Sequence, residues 1–193
     1  MSTTGKVAGI VSNLVTVQVD GPVAENELCY IETKGTKLLA EVIKVNADKA
    51  SVQVFESTRG LKGGDKVEFL GRMLEASLGP GLLSSVYDGL QNDLTTMTDV
   101  FLKRGEYTDP LDHEKMWDFT PLAKVGDKVQ AASWLGEVKE GWLPHKIMVP
   151  FSFNGEYTIK SIVEAGSYNI DHVIAVLTDE EGEDVNVTMV QKW

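Results

Sequence analysis

The chain has 193 residues, a formal net charge of −11 and 42% hydrophobic residues, a composition typical of a globular protein with one large or two small domains. No apolar run approaches the roughly 18 residues of a membrane-spanning helix. Residues 1–6 lack the apolar core of a secretory signal, so secretion is not expected. Cys29 is the only cysteine, which excludes an intrachain disulfide and fits a reducing cytosol.

The negative charge is concentrated in the second part of the chain. Residues 1–71 carry eight Lys and Arg against nine Asp and Glu, whereas residues 72–193 carry ten against twenty. Such an acidic surface repels polyanions, which argues against nucleic acid or anionic lipid as a partner and against direct membrane insertion. The acidic second part of the chain fits binding to a basic protein partner, or it serves only to keep the protein soluble.

Residues 5–70 alternate short apolar runs with turn residues about every ten positions. In one run, Val15, Val17 and Val19 alternate with polar residues, which is the period of a half-buried strand. A set of six short strands is best protected from edge pairing by closing into a barrel. The sequence therefore predicts a closed six-stranded barrel with strands at 6–11, 14–19, 28–33, 37–45, 50–56 and 66–70.

The stretch 78–91 is predicted to be a hinge followed by a docking helix. Gly79-Pro80-Gly81 is a turn, since proline cannot continue a sheet ladder. Helical spacing predicts a short helix after it, and an ordinary linker with one core helix fits the same spacing. A second helix is predicted over 92–105, capped at Asn92 or Asp93 and ended by Gly105. The apolar positions are Leu82, Leu83, Val86, Tyr87, Leu90, Leu94, Met97, Val100 and Phe101.

Residues 106–193 are predicted to form a second β unit. A faint repeat relates 125–138 to 165–177, because each half has a glycine-centred turn and a strand about ten residues later. Two such halves favour a barrel-sandwich of two interlocked ribbons, an architecture shared with lipoyl and biotinyl domains. A stand-alone carrier module is therefore the alternative function. It is disfavoured because Asp48-Lys49-Ala50 is a weak match and the second-half turn at 164–167 has no lysine.

Known catalytic and ligand-binding motifs are missing from the sequence. A phosphate loop needs Gly-x4-Gly-Lys-Ser/Thr, but the Gly5-Lys6 pair is followed by Val7. The segment 79–84 approaches a dinucleotide fingerprint, yet its third glycine is replaced by Ser84. The three histidines, His113, His145 and His172, are dispersed, and the acidic run 179–184 lacks calcium-loop spacing. We therefore predict no catalytic, cofactor-binding or metal residue.

Two motifs carry a family resemblance. Gly-Pro-Gly-Leu-Leu at 79–83 with Tyr-Asp-Gly-Leu-Gln at 87–91, and Trp-Asp-Phe-Thr-Pro at 117–121, resemble segments of the catalytic A subunit of V-type and archaeal A-type ATPases and ATP synthases. The resemblance extends over the whole chain and covers the region before the nucleotide-binding domain. It implies that the chain is cut at a domain boundary near Trp193 and that ATP and magnesium bind elsewhere in the intact subunit.

The resemblance also implies an organisation and partners. Residues 1–71 would be the N-terminal barrel, which contacts B subunits in the head, 72–105 a hinge and helical linker, and 106–193 the outward insertion, which contacts peripheral stator subunits. The intact enzyme would couple ATP turnover to proton or sodium transport in the cytoplasm, peripheral to the membrane. Trp134 and Trp142, near a Gly-Trp-Leu-Pro turn, are candidates for the docking face, unless both lie in the core.

Overall fold

A computed structural model describes residues 3–95 and 104–193. Strands are the regular secondary structure of these residues, which contain no helix. The described part of the chain therefore has no helix with the length and apolar character that a membrane span requires. The prediction of a mainly β protein is confirmed.

The first six strands close into an antiparallel barrel in the order β1-β2-β5-β4-β3-β6, with β6 returning to pair with β1. Alternation explains the closure, because inward residues such as Val15, Val17 and Ile31 are fully buried. The predicted six-stranded barrel is confirmed. The strands are β1 (Thr4–Val11), β2 (Leu14–Val19), β3 (Leu28–Thr33), β4 (Thr36–Asn46), β5 (Lys49–Val54) and β6 (Lys66–Phe69).

Bulges and one glycine let the small barrel close. The register shifts between Val7 and Gly9 in β1 and between Val42 and Lys44 in β4, and such bulges increase strand bending. At Gly5 a Cβ atom would lie 2.8 Å from a Val17 methyl carbon and 3.4 Å from the Phe69 ring. Phe69 is fully buried, so the absence of a side chain at Gly5 leaves room for the largest group of the core.

The remaining strands form a two-stranded ribbon and two four-stranded sheets, ordered β11-β10-β8-β13 and β15-β14-β12-β9. Phe119, Leu135 and Ile159 belong to the buried core of this unit. The predicted barrel-sandwich is confirmed. The strands are β7 (Ser77–Leu78), β8 (Met116–Pro121), β9 (Lys128–Val129), β10 (Trp134–Glu140), β11 (Leu143–Met148), β12 (Tyr157–Ile162), β13 (Gly166–Asn169), β14 (Ala175–Thr178), β15 (Asp184–Val187) and β16 (Gln191–Lys192).

The described residues divide into two compact units, one with residues 3–74 and 104–107 and the other with 75–95 and 108–193. In the first unit, the Tyr107 hydroxyl donates to Glu56 Oε1 at 2.8 Å and accepts the Leu39 amide at 2.8 Å. Burial is the main reason that the pKa of Tyr107 is raised. The predicted domain boundaries after residues 71 and 105 stay predictions.

The helix predicted over residues 82–90 is wrong. The segment consists of turns and an isolated bridge between Tyr87 and Asp93. Ser84 has a φ of 69° and Gln91 a φ of 62°, values that no right-handed helix contains. Of the second predicted helix, residues 96–103 lie outside the described residues, and 92–95 and 104–105 are not helical.

Candidate docking surfaces

The three histidines do not converge on one site. His113 lies beside Asp109 and Asp171, His145 beside Glu140, and His172 stacks on the ring of Tyr168. Among the described residues no group of three or more His, Cys, Asp or Glu side chains is arranged to hold a metal ion. That no catalytic, cofactor or metal residue is present stays a prediction.

His113 is an exposed charge bridge. Its Nδ1 lies 2.6 Å from Asp171 Oδ2 and its Nε2 lies 3.1 Å from Asp109 Oδ2. The hydrogen bond with Asp171 is the largest cause of the raised pKa of His113, burial opposes it, and the charge of Asp109 adds to it. Both ring nitrogens face carboxylates, an arrangement that favours the protonated imidazolium. The ring thereby links the segment that contains Asp109 to the segment that contains Asp171.

The acidic run 179–184 connects β14 to β15. The carboxylates of Asp179 and Asp184 bind groups of this turn and of the same sheet. Asp179 Oδ1 accepts the amides of Glu181 at 2.9 Å and Glu183 at 2.8 Å. Asp184 pairs with Lys160 and accepts the Thr178 hydroxyl at 2.7 Å, and the Lys160 bond is the largest cause of its lowered pKa. This geometry is that of a self-bonded hairpin turn rather than an open cation loop.

The position of Lys49 disfavours a carrier function. The hairpin turn consists of Ala47 and Asp48, and Lys49 is the first residue of β5, paired with Asn46. Asp48 accepts the Gln18 side-chain amide at 2.8 Å, the main cause of its lowered pKa. A lipoyl-type lysine must stand at the tip of its turn, and here the tip is occupied by two other residues.

Cys29 is an unreactive thiol, since burial raises its pKa to about 12.

A tryptophan surface lies on the sheet that contains β10 and β11, and we define it by Trp134, Trp142, Pro144, Asp118 and Lys146. Trp142 is 85% exposed in the turn between these strands and Trp134 is 58% exposed. The alternative that both tryptophans belong to the core is therefore wrong. Two large apolar side chains left in water on one sheet are typical of an interaction surface.

Contacts connect the two ends of the tryptophan surface. Lys146 Nζ lies 4.9 Å from the centre of the Trp134 ring and pairs with Glu137. Glu137 in turn lines a groove of about 380 Å³ together with Trp142, Pro144 and Asp118. Asp118 is exposed and forms no ion pair in the described ranges, so it is available to a basic group of a partner.

The loop 79–92 is held by buried polar side chains that the sequence patterns did not reveal. Glu140, 7% exposed, accepts the amides of Gly81 at 2.7 Å and Leu83 at 3.1 Å through Oε1, and its Oε2 lies 2.6 Å from His145 Nδ1. Gln91 exchanges two hydrogen bonds of 2.7 Å with the backbone of Ser77. These bonds fix the two ends of the loop, one to the end of β10 and the other to β7.

A second group of hydrogen bonds, centred on the Asp88 carboxylate, closes the loop. Its Oδ1 accepts the amides of Leu90 at 2.9 Å and Asn92 at 2.8 Å, and its Oδ2 accepts the Asn92 side chain at 2.9 Å. Burial alone would raise the pKa of Asp88, but the bonds from Asn92 and Leu90 hold it below its ordinary value. A carboxylate that accepts local amides competes with a helix, and this chemistry was the missed signal in Asp88-x-x-x-Asn92.

Comparison with known proteins assigns this fold to a family. The family model "ATP synthase alpha/beta family, beta-barrel domain" matches residues 7–71, and "ATPsynthase alpha/beta subunit barrel-sandwich domain" matches residues 108–193. The chain belongs to the ATP synthase alpha/beta family. The two matched segments fall on the barrel and on the sandwich.

The relatives narrow the similarity to V-type ATP synthase alpha chains. The chain is 47% identical to the alpha chain of Borrelia garinii subsp. bavariensis over 196 residues, covering 100% of this chain and 34% of the relative. It is 47% identical to that of Treponema denticola over 194 residues, covering 99% and 33%. The resemblance predicted from the two motifs is confirmed. The chain spans about one third of the length of these curated relatives.

Proposed function

We propose that this chain supplies the N-terminal assembly surfaces of a V-type ATP synthase alpha chain. The observation that carries the proposal is similarity to such alpha chains over the whole chain, at 47% identity with that of Borrelia garinii subsp. bavariensis. The intact subunit would hydrolyse or synthesise ATP and couple this to proton or sodium transport. It would work in the cytoplasm, peripheral to the membrane, with B subunits as its neighbours in the head.

The ATP site is proposed to lie outside these residues. The sequence has no phosphate loop, and a loop of clustered amides with a lysine and a hydroxyl is what magnesium nucleotides need. ATP and magnesium would therefore be bound by the rest of the intact subunit. The residues 3–95 and 104–193 would contribute positioning of neighbouring subunits rather than chemistry.

The tryptophan surface is proposed as the contact with peripheral stator subunits. Its support is the exposure of Trp142 and Trp134 together with the exposed carboxylate of Asp118. Tryptophan supplies large contact area at the centre of interfaces, and carboxylates steer basic partners. The sandwich unit would thus act through an outward sheet face.

The test is a pull-down of the stator subunits of a V-type ATP synthase with the full chain. Truncating Trp134 and Trp142 together to alanine is expected to weaken binding by about thirtyfold or more, since an interface tryptophan contributes about 2 kcal/mol. Trp193→Ala is the matched control. Trp193 is exposed as well, at 69%, but it lies outside the tryptophan surface and packs its ring against Phe151. Equal binding by the double variant and the control would exclude this face as the contact.

A further inference from the structure

Asn154 is the one asparagine of the sequence that precedes a glycine, and we call Asn154 and Gly155 the Asn-Gly pair. The pair lies between β11 and β12, and both of its residues are exposed. Asparagine is a thermolabile residue, and the next residue decides how easily a backbone nitrogen reaches its side-chain carbonyl carbon. Glycine leaves that nitrogen unshielded, because it has no Cβ atom. The other asparagines are followed by larger residues, which are Leu14, Glu27, Ala47, Asp93, Ile170 and Val187.

The loop is anchored on both sides of the Asn-Gly pair. The rings of Phe153 and Tyr157 contact each other with their centres 5.2 Å apart, and both pack against the core of the sandwich. The Phe153 amide also donates to the Pro150 carbonyl oxygen at 3.1 Å. The pair is therefore exposed between two fixed residues, so a chemical change in it leaves the core in place.

The groups of the pair that would react with each other are not held by strong hydrogen bonds. Asn154 Nδ2 lies 3.5 Å from the Ser152 carbonyl oxygen, which is beyond the usual length of such a bond. Within residues 3–95 and 104–193, the Gly155 amide donates to no acceptor. A Cβ atom at Gly155 would have no neighbour within 4 Å, so the surrounding space is open. The nitrogen can therefore approach the side chain without first losing a partner.

The loop 79–92 shows the opposite arrangement. Asn92 is 4% exposed, and its side chain donates to Asp88 Oδ2 and accepts the Thr108 amide, both at 2.9 Å. Asp88 also precedes a glycine, but the amides of Leu90 and Asn92 hold its carboxylate. An ionised carboxylate is in addition a poorer electrophile than an amide. Neither side chain is therefore free to react in the way that the Asn-Gly pair is.

We propose that Asn154 is a modification site at which the chain deamidates itself, with water as the co-reactant. The Gly155 nitrogen attacks Cγ of Asn154, so that a C–N bond forms and the Cγ–Nδ2 bond breaks. The proton of the Gly155 nitrogen leaves with the former side-chain nitrogen as ammonia. Water then opens the cyclic imide at either carbonyl carbon, which gives aspartate or isoaspartate with no change of oxidation state.

Either product places a new carboxylate in the loop before β12. The formal net charge of the chain then falls one unit below −11. Isoaspartate also lengthens the backbone by one carbon atom, and the contact between Phe153 and Tyr157 confines this change to the exposed loop. The folded chain is therefore expected to accumulate the product. This inference is independent of the proposed function, because it concerns only the chemistry of the loop.

The experiment incubates the full chain at neutral and at alkaline pH and follows every asparagine by peptide mapping with mass spectrometry. We expect Asn154 to react first, with a mass increase of about 1 Da, because ammonia leaves and water enters. The reaction is expected to be faster at alkaline pH, since the deprotonated Gly155 nitrogen is the stronger nucleophile. Asn154→Gln should lose this mass increase, because glutamine would have to form a larger ring.

Asn186→Gln is the matched control. Asn186 is exposed as well, but it lies in β15 and is followed by the buried Val187, so its replacement should leave the reaction at Asn154 unchanged. Chromatography of the modified peptide separates aspartate from isoaspartate. Formation of aspartate alone would overturn the inference, since direct hydrolysis gives no isoaspartate. An Asn154 that stays unmodified, or that reacts no faster than Asn186, would overturn it too.

Discussion

Gly136 lies where any side chain would collide with the core of the sandwich. A Cβ atom there would lie 2.3 Å from the Phe119 ring and 2.8 Å from the Thr120 carbonyl oxygen. Phe119 is 1% exposed and cannot swing out without opening the core. This glycine, which the sequence marks only as part of a faint repeat, thus fixes the distance between β8 and β10.

Gly136→Ala is expected to lower the free energy of unfolding by about 1–3 kcal/mol, because overpacking displaces a buried ring and the adjacent backbone. The measurement is urea unfolding. Gly89→Ala is the control, since a Cβ atom there has no neighbour within 4 Å. Equal stability of the two variants would show that the core accommodates the methyl group.

His113 gives the fold a pH dependence whose sign follows from its partners. The hydrogen bond with Asp171 is the main cause of a folded-state pKa above the ordinary value of 6.5. A raised folded-state pKa means that the stabilisation is fully present below the unfolded pKa and is lost as pH rises through the folded pKa. The bridge should therefore weaken on the alkaline side of 6.5.

We expect the difference in melting temperature between the natural chain and His113→Gln to shrink as pH rises from about 6 to about 8. His172→Gln is the control, because His172 contacts the Tyr168 ring rather than a carboxylate. Thermal unfolding at several pH values measures the effect. A difference that stays constant or grows with pH would contradict the assigned partners.

At the scale of elements, the loop 79–92 depends on Glu140 at the end of β10. This carboxylate binds the amides of Gly81 and Leu83 and faces His145. Its removal takes a buried acceptor from two part-buried amides, which costs more than the loss of a fully exposed contact. The loop is therefore attached to the sheet by the Glu140 carboxylate in addition to the packing of its own apolar residues.

Glu140→Ala is expected to lower the free energy of unfolding by about 1–3 kcal/mol. Glu156→Ala is the matched control, since Glu156 pairs with Lys128 on the surface, and a loss below about 1 kcal/mol is expected there. Urea unfolding measures both, and hydrogen exchange at Gly81 and Leu83 localises the effect. Unchanged exchange at these amides in Glu140→Ala would contradict the attachment.

The elements that the sequence predicted correctly are those whose pattern is set by burial on one side. Val15 and Val17 alternate with polar residues and are fully buried, so the strand follows from the period. The loop 79–92 has the opposite character. Its apolar residues have helical spacing, but Asp88 binds the backbone amides of Leu90 and Asn92, which a continuing helix would use. The spacing of apolar residues does not reveal such hydrogen bonds from a side chain to the backbone, although they compete with helix formation.

The tryptophan surface and the closure of the barrel were predictable to different extents. The two tryptophans could be singled out by residue type, but their exposure could not. Trp142 lies in the turn with Gly141, whose φ is 61°, and Trp134 lies at the opposite end of β10. The closure of the barrel depends on the register of β1 against β6, which pairs Lys6 with Lys66, sixty positions apart. A single sequence does not determine that register, because β1 contains a bulge between Val7 and Gly9 and β6 has only four residues.

For the whole molecule, the proposed boundaries make a prediction about proteolysis. Turn formers and acidic residues cluster between Asn92 and Asp118, so limited proteolysis is expected to cut there first. Mass spectrometry of the early products locates the cut. A first cut inside residues 37–70 would contradict the division, because β4, β5 and β6 belong to the barrel.

The central claim is that this chain provides assembly surfaces and not a nucleotide site. Native mass spectrometry of the full chain mixed with magnesium ATP and with the B and stator subunits of a V-type ATP synthase tests it most directly. The expected result is complexes that contain the chain and a partner subunit, with no nucleotide adduct on the chain alone. A specific ATP adduct on the isolated chain, without any subunit complex, would contradict it.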